Sequence, residues 1–260
     1  MKMIKYLSLG LLICLLIVAT KLFFLPVNPT ANQVNLIISA ASSLSPVLPE
    51  IGKIYEASQA HVKIKYNFAA SGILQQQIEN GAPVDIFLTA ALKPMDILAS
   101  KNLIFPETRY NLLRNSLVLI APENSRLINN FRDLNQQQIK KIALGEPRIV
   151  PAGDYGIQVL QKLGIFGLIK NKMIFTNNVR QVLTLVESGN VDAGLVYATD
   201  AKNSAKIRIV GSAPPNSHAP IIYPIAILKS SKNVDSAKQF ILFLKSDRIH
   251  AIFAKYGFSL

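Results

Sequence analysis

Cysteine is nearly absent from this 260-residue chain, and acidic side chains are few beside the basic ones. Its single cysteine, Cys14, sits inside an apolar run near the N-terminus, which excludes a disulfide framework and a cysteine-based metal site. The three histidines, His61, His218 and His250, show no metal-ligand spacing, so no bound free cation is expected. No serine occupies a nucleophile elbow, no glycine-rich nucleotide loop occurs, and no carboxylate pair stands out. With neither base nor nucleophile in view, no catalytic residue is assigned and an enzyme is not the expectation. Asp and Glu number 15 against 28 Lys and Arg, a net charge of +13. The bases are dispersed along the chain, with no basic helix or aromatic-studded motif. That pattern points away from nucleic acid and towards a soluble protein that steers anions to itself.

Long apolar runs are also scarce. The longest, Tyr6 to Ala19, follows Lys2 and Lys5 and is shorter than the roughly 20 residues of a full membrane span. It reads as an export signal, with Lys21 and the patch Leu22-Phe23-Phe24-Leu25 leaving an uncleaved anchor as the alternative. Ile13, just before Cys14, lacks the small side chain of a lipoprotein cleavage site, so no lipid anchor is expected. Residues 26–33, with Pro26 and Pro29, form a spacer. The folded part is therefore expected in the periplasm or otherwise outside the cytoplasm.

From Val34 onward strand and helix patterns alternate. Strands are expected at 34–39, 62–68 and 84–89, with helices at 45–58, 73–80 and 94–100 between and after them, the rhythm of parallel βαβ units. A second set places strands at 116–121, 141–144, 173–175, 193–197 and 207–210, with helices at 155–163 and 179–188. A last strand at 222–228 precedes helices at 235–245 and 248–256. No low-complexity linker interrupts this region and no internal repeat is legible. Two interleaved α/β lobes are expected, 34–115 with 223–260 and 116–222, hinged where the chain crosses between them.

Four segments put small or hydroxyl side chains where a helix begins: Ala40-Ala-Ser-Ser-Leu44, Phe68-Ala-Ala-Ser-Gly72, Val150-Pro-Ala-Gly153 and Asn177-Asn-Val-Arg180. A helix N-terminus carries unpaired N–H groups and the positive end of the macrodipole. Several converging on a cleft at the carboxyl ends of strands make an anion site without a charged side chain. Ser43 and Ser71 could each donate a hydroxyl and a backbone N–H; taken singly, each reads as an ordinary N-cap. Ala152 and Val179 could offer only backbone N–H. Tyr197, ending the strand Ala193 to Tyr197, could reach the cleft as a neutral phenol donor, although a packing role is the commoner one for a lone tyrosine. Asp85 reads as a structural carboxylate, and Asp154 and Arg180 as members of surface or hinge ion pairs.

Together with Gly81-Ala-Pro-Val-Asp-Ile-Phe87, Asn115-Ser-Leu-Val118, Gly194-Leu-Val-Tyr197 and Lys255-Tyr-Gly-Phe258, these segments closely resemble the periplasmic molybdate-binding proteins, solute receptors of molybdate ABC transporters. The resemblance runs from about Val34 to Leu260. It implies a two-lobed type II periplasmic-binding-protein fold, each lobe a mixed, mostly parallel sheet flanked by helices. It implies a ligand, molybdate or tungstate, held by Ser43, Ser71, Ala152, Val179 and Tyr197, with no cofactor, and a membrane permease as partner of a monomeric receptor. Ala70 and Gly72 stand where that family commonly has serines. The alternatives left open are a receptor for another tetrahedral oxyanion such as sulfate or phosphate, an enzyme using the same cleft, and a membrane-tethered interaction module.

Overall fold

The described residues from Val34 onward form two five-stranded sheets, and the chain passes twice between them. The structure, a computed structural model, describes residues 33–202 and 204–260; the expected signal and spacer lie outside these residues, save Gln33. In chain order come β1 (Val34–Ala41), α1 (Leu48–Ser58), β2 (Val62–Ala69), α2 (Ser71–Glu79), β3 (Ile86–Leu88), α3 (Leu92–Ser100) and β4 (Tyr110–Asn115). Next are β5 (Leu117–Pro122), β6 (Ile142–Gly145), α4 (Pro151–Lys162), α5 (Phe166–Ile169), β7 (Met173–Thr176), α6 (Val179–Glu187), β8 (Ala193–Tyr197), α7 (Ala198–Lys202) and β9 (Ile207–Ser212). The chain then returns through β10 (Ile221–Ile227), α8 (Val234–Leu244) and α9 (Asp247–Lys255).

One sheet has the order β2-β1-β3-β10-β4 and the other β7-β6-β8-β5-β9. In each, three parallel strands are followed by one that runs antiparallel to both its neighbours, β10 in the first and β5 in the second. The two sheets thus share one plan although the sequence shows no repeat. Strands β5 and β10 are also the first elements after each passage between sheets, the first passage crossing at Ser116 and the second over residues 213–220.

Local sequence explains the elements. Central β8 is buried along its whole length, as a strand covered on both faces should be, whereas edge strand β2 alternates buried Val62 with exposed Lys63 and Lys65. Helix α6 buries Val179, Val182, Leu183 and Val186, the spacing of one helical face. Asp85 is structural, as expected: its buried carboxylate accepts from Ile37 N–H at 2.7 Å and Ser231 Oγ–H at 2.6 Å, tying β1 to the segment after β10.

Two expectations are corrected. Strand β4 was not anticipated, because its adjacent Leu112 and Leu113 are both buried and break the alternation that marks a strand. Helix α4 begins at Pro151, four residues earlier than its apolar periodicity indicates; proline is well suited to the first helical position, and the glycines that follow serve packing. A Cβ on Gly153 would overlap the carbonyl of Gly145 at the end of β6, so glycine there lets the first turn of α4 sit directly on the strand terminus. Gly153→Ala is accordingly expected to destabilise the protein by about 1–3 kcal/mol, read as a lower midpoint in thermal or denaturant unfolding; wild-type stability would contradict the close approach.

Candidate functional site

Strand ends and helix starts from both sheets meet at one small cavity. Its lining includes Ser43, Ser71, Ala152, Val179 and Tyr197, all five of the residues singled out in the sequence. The cavity measures about 10 Å³, far below the roughly 300 Å³ of a site for an organic substrate. Twelve residues line it and none carries a charge. A larger groove of about 350 Å³ lies beside Tyr110, Ile241, Leu242 and Lys245, and none of the five residues lines it.

The helix starts are arranged differently from the capping pattern the serines suggested. Ser71 is the first residue of α2 and its N-cap is Ala70; Ser43 lies inside a 3-10 turn, Ser42–Leu44, capped by Ala41. Neither alanine has a side chain that could cap, and Val150 at the start of α4 has none either. The serine hydroxyls are therefore not used as helix caps. Ala152 is in the first turn of α4 and Val179 opens α6, where N–H groups have no acceptor within their own helix. At α6 the cap is supplied by Asn178, whose side chain accepts from Gln181 N–H at 3.0 Å.

Two of the hydroxyls at the cavity, those of Ser43 and Ser71, are positioned by a neighbour. Ser71 Oγ accepts from Ala90 N–H at 3.0 Å, leaving its own proton for another acceptor. Ser43 Oγ and the phenol of Tyr223 lie 2.9 Å apart. Tyr197 is fully buried and its hydroxyl makes no hydrogen bond of good geometry among the described residues, although the phenol of Tyr223 is close enough to act on it. Burial, with the nearby phenols of Tyr223 and Tyr155 and the carboxyl of Asp200, pushes its pKa well above the ordinary tyrosine value. The phenol stays protonated, a neutral donor lacking an acceptor, and a buried polar group in that condition costs about 1–3 kcal/mol.

The two walls of the cavity touch. Gly72 N–H, one residue into α2, donates to Ile149 O at 2.9 Å, two residues ahead of α4. A Cβ on Gly72 would stand 2.8 Å from both Ile149 Cα and Ile149 O, so a side chain there would separate the walls.

Sequence reasoning missed Tyr223, Asn115 and Asp200. Arg180 was expected in an ion pair, and its partner proves to be Asp200, with Nη1 to Oδ1 at 3.6 Å. The carboxyl is wholly buried, with Arg180 and the backbone at Tyr197 as the groups that favour its charged form. Burial pushes the pKa of Asp200 up to about 7, with Arg180 opposing. Asp154 is exposed and holds only Gln158, at 3.1 Å. Groups able to hold a metal ion are absent among the described residues.

The raised pKa fixes a sign. Between about pH 4 and 7 the folded chain keeps the Asp200 proton that the unfolded chain releases, so this group's stabilisation is complete below about pH 4 and is lost as pH rises through 7. Arg180, Tyr197 and Tyr223 face the same carboxyl. Asp200→Asn is expected to flatten that slope and to raise stability above pH 7 by roughly 2–4 kcal/mol, measured as unfolding midpoint against pH; an unchanged slope would contradict it.

Comparison with known proteins agrees with the geometry. The family model of bacterial extracellular solute-binding proteins matches residues 36–259. A putative ABC transporter substrate-binding lipoprotein of Bacillus subtilis is 42% identical over 229 residues, covering 88% of this chain and 87% of its own length. The molybdate-binding protein of Haemophilus influenzae is 36% identical, covering 88% of this chain and 91% of its own length. The solved substrate-binding domain of a putative molybdenum ABC transporter from Clostridium difficile superimposes with a TM-score of 0.69 at 42% identity, covering 87% of this chain and 98% of that domain. With its two mixed sheets flanked by helices and a cavity between their strand ends, the chain belongs to the bacterial extracellular solute-binding proteins.

Proposed function

We propose that this chain is an extracytoplasmic receptor that binds molybdate, and tungstate with it, and delivers the anion to an ABC permease in the membrane. The observation that carries the reading is the hydroxyls of Ser43, Ser71 and Tyr197, together with that of Ser42, lining one uncharged cavity, with that of Tyr197 buried and without a hydrogen bond of good geometry among the described residues. Backbone N–H groups of Ala152 and Val179 add donors from the starts of α4 and α6. A dianion stripped of water is then met by fixed dipoles instead of buried cations, each of which would bring its own desolvation cost.

The donor set also supports the choice of ligand. Phosphate near neutral pH retains a proton that needs an acceptor, and a cavity offering only donors would leave that proton unpaired. Sulfate is fully deprotonated but smaller, with shorter bonds to oxygen, so discrimination against it rests on the span between the walls. The relatives named for molybdate and molybdenum transport support the larger oxyanion.

Lobe one, expected as residues 34–115 with 223–260 and here including all of β10 from Ile221, supplies Ser43 and Ser71; lobe two, expected as 116–222, supplies Ala152, Val179 and Tyr197. Closure about the two crossings buries the ligand and forms the face that the permease reads. Both walls come from one chain, so a monomer suffices. An N-terminal signal exports it, with retention as a membrane anchor the other outcome for that segment.

Calorimetric titration with molybdate, tungstate, sulfate and phosphate tests the assignment: the first two bind tightly, and a preference for sulfate or phosphate would overturn it. Tyr197→Phe removes a donor that only the ligand satisfies. It is expected to weaken molybdate binding by about 1–3 kcal/mol while leaving the ligand-free protein at least as stable, since an unpaired buried hydroxyl is lost. Unchanged affinity would remove Tyr197 from the site.

A further inference from the structure

Whether a hydroxyl helps or harms an anion depends on which way its proton points. Ser43 Oγ lies 2.9 Å from Tyr223 Oη, a spacing that permits either oxygen to donate. If Ser43 donated to Tyr223, lone pairs would face the cavity and repel an oxyanion. If Tyr223 donated to Ser43, the serine proton would be free to point into the cavity.

The next residue out settles the direction. Asn115 Nδ2 lies 3.1 Å from Tyr223 Oη and 2.9 Å from Thr199 Oγ1. Its amide is oriented by Ser116 N–H, which donates to Asn115 Oδ1 at 2.9 Å. The other end of the amide must therefore be nitrogen, and it can only donate. Its two protons go to Thr199 and Tyr223. Tyr223 thus accepts from Asn115, and Ser43 Oγ is the acceptor within hydrogen-bond reach for its own proton. The phenol is fully buried, where an unspent proton would be costly.

We propose that Asn115 and Tyr223 are positioning residues for the anion site, Asn115 donating to Tyr223 and Tyr223 to Ser43, so that the Ser43 hydroxyl is held as a donor facing the cavity. The inference rests on the receptor reading for its consequence in binding, and on the hydrogen-bond pattern alone for its direction. Burial holds the Tyr223 phenol well above its ordinary pKa, so the relay does not lose its proton as pH rises. Asn115 is the last residue of β4, at the first crossing between the sheets, and Tyr223 is on β10, just after the second. The polarity of a hydroxyl in the cavity is thereby set from the two hinge strands, with neither Asn115 nor Tyr223 lining the cavity.

Asn115→Asp keeps the shape and reverses the order: the carboxylate accepts from Tyr223, Tyr223 accepts from Ser43, and Ser43 presents lone pairs. Tyr223→Phe simply removes the donor to Ser43. Both are measured by molybdate calorimetry in the wild-type and in the Ser43→Ala background, where the added charge of the aspartate acts alike in both and cancels from the coupling. In the wild-type background Tyr223→Phe is expected to weaken binding about 3- to 10-fold and Asn115→Asp more than 10-fold. In Ser43→Ala, Tyr223→Phe is expected to change affinity less than 2-fold, and Asn115→Asp to keep only the loss its charge causes, so that the part acting through Ser43 appears as a coupling between the two changes. Full losses in both backgrounds would overturn the relay while leaving the receptor reading intact. Neutron diffraction from the ligand-free, deuterium-exchanged protein decides the direction without any ligand: the deuteron between the two oxygens belongs to Tyr223 if the relay holds and to Ser43 if it does not. A protein that bound none of the anions would sink the receptor reading, and the neutron map would still judge the relay.

Discussion

A dianion taken out of water must be met either by buried cations or by oriented dipoles, and buried cations carry a desolvation cost before any ligand arrives. On the proposed reading, this protein's cavity is of the second kind. Three helix N-termini, one strand-ending phenol and a 3-10 turn converge on a lining without a single charge. The positive charge of the chain, +13 in all, would act at longer range on this reading, drawing anions without gripping them. Arg180, the cation next in sequence to the cavity, is directed to Asp200 instead.

On the same reading donors are needed on both sides, and the topology is able to supply them. Each sheet brings its parallel strands to the cleft with carboxyl ends forward, which is where the following helices begin. Glycine sets the distances. Gly153 lets α4 rest on the end of β6, and Gly72 lets α2 meet the backbone of Ile149 across the cavity. The hydroxyls are not left to rotate freely: Ala90 N–H orients Ser71, and the chain from Asn115 through Tyr223 orients Ser43. The buried Tyr197 hydroxyl makes no hydrogen bond of good geometry among the described residues, an arrangement that stores a small instability until an acceptor enters.

Much of the architecture was legible because buried parallel strands and amphipathic helices leave strong periodic signals, as in Ala193–Tyr197 and Val179–Glu187. What failed did so for physical reasons. The first turn of α4, Pro-Ala-Gly-Asp, has no apolar periodicity, since its residues serve close approach and not a buried stripe. Ser43 and Ser71 looked like caps because capping is the commonest task for serine before a helix, yet alanines hold the cap positions. Ala152 and Val179 offer backbone alone, so side-chain chemistry could not mark them, and only resemblance to a family singled them out. Asn115 and Tyr223 are distant in sequence from Ser43 and became visible only when β4 and β10 were found side by side. Asp200 gave no sign of burial, lying in a short polar stretch after β8.

The account's central claim is that neutral donors, and not charged side chains, surround the ligand. A crystal structure of the protein grown with molybdate tests it most directly. The account predicts the anion between Ser43, Ser71 and Tyr197, within hydrogen-bond distance of their hydroxyls and of the N–H groups of Ala152 and Val179, with no lysine or arginine in contact. An anion held mainly by lysines and arginines, or bound away from this cavity, would contradict it.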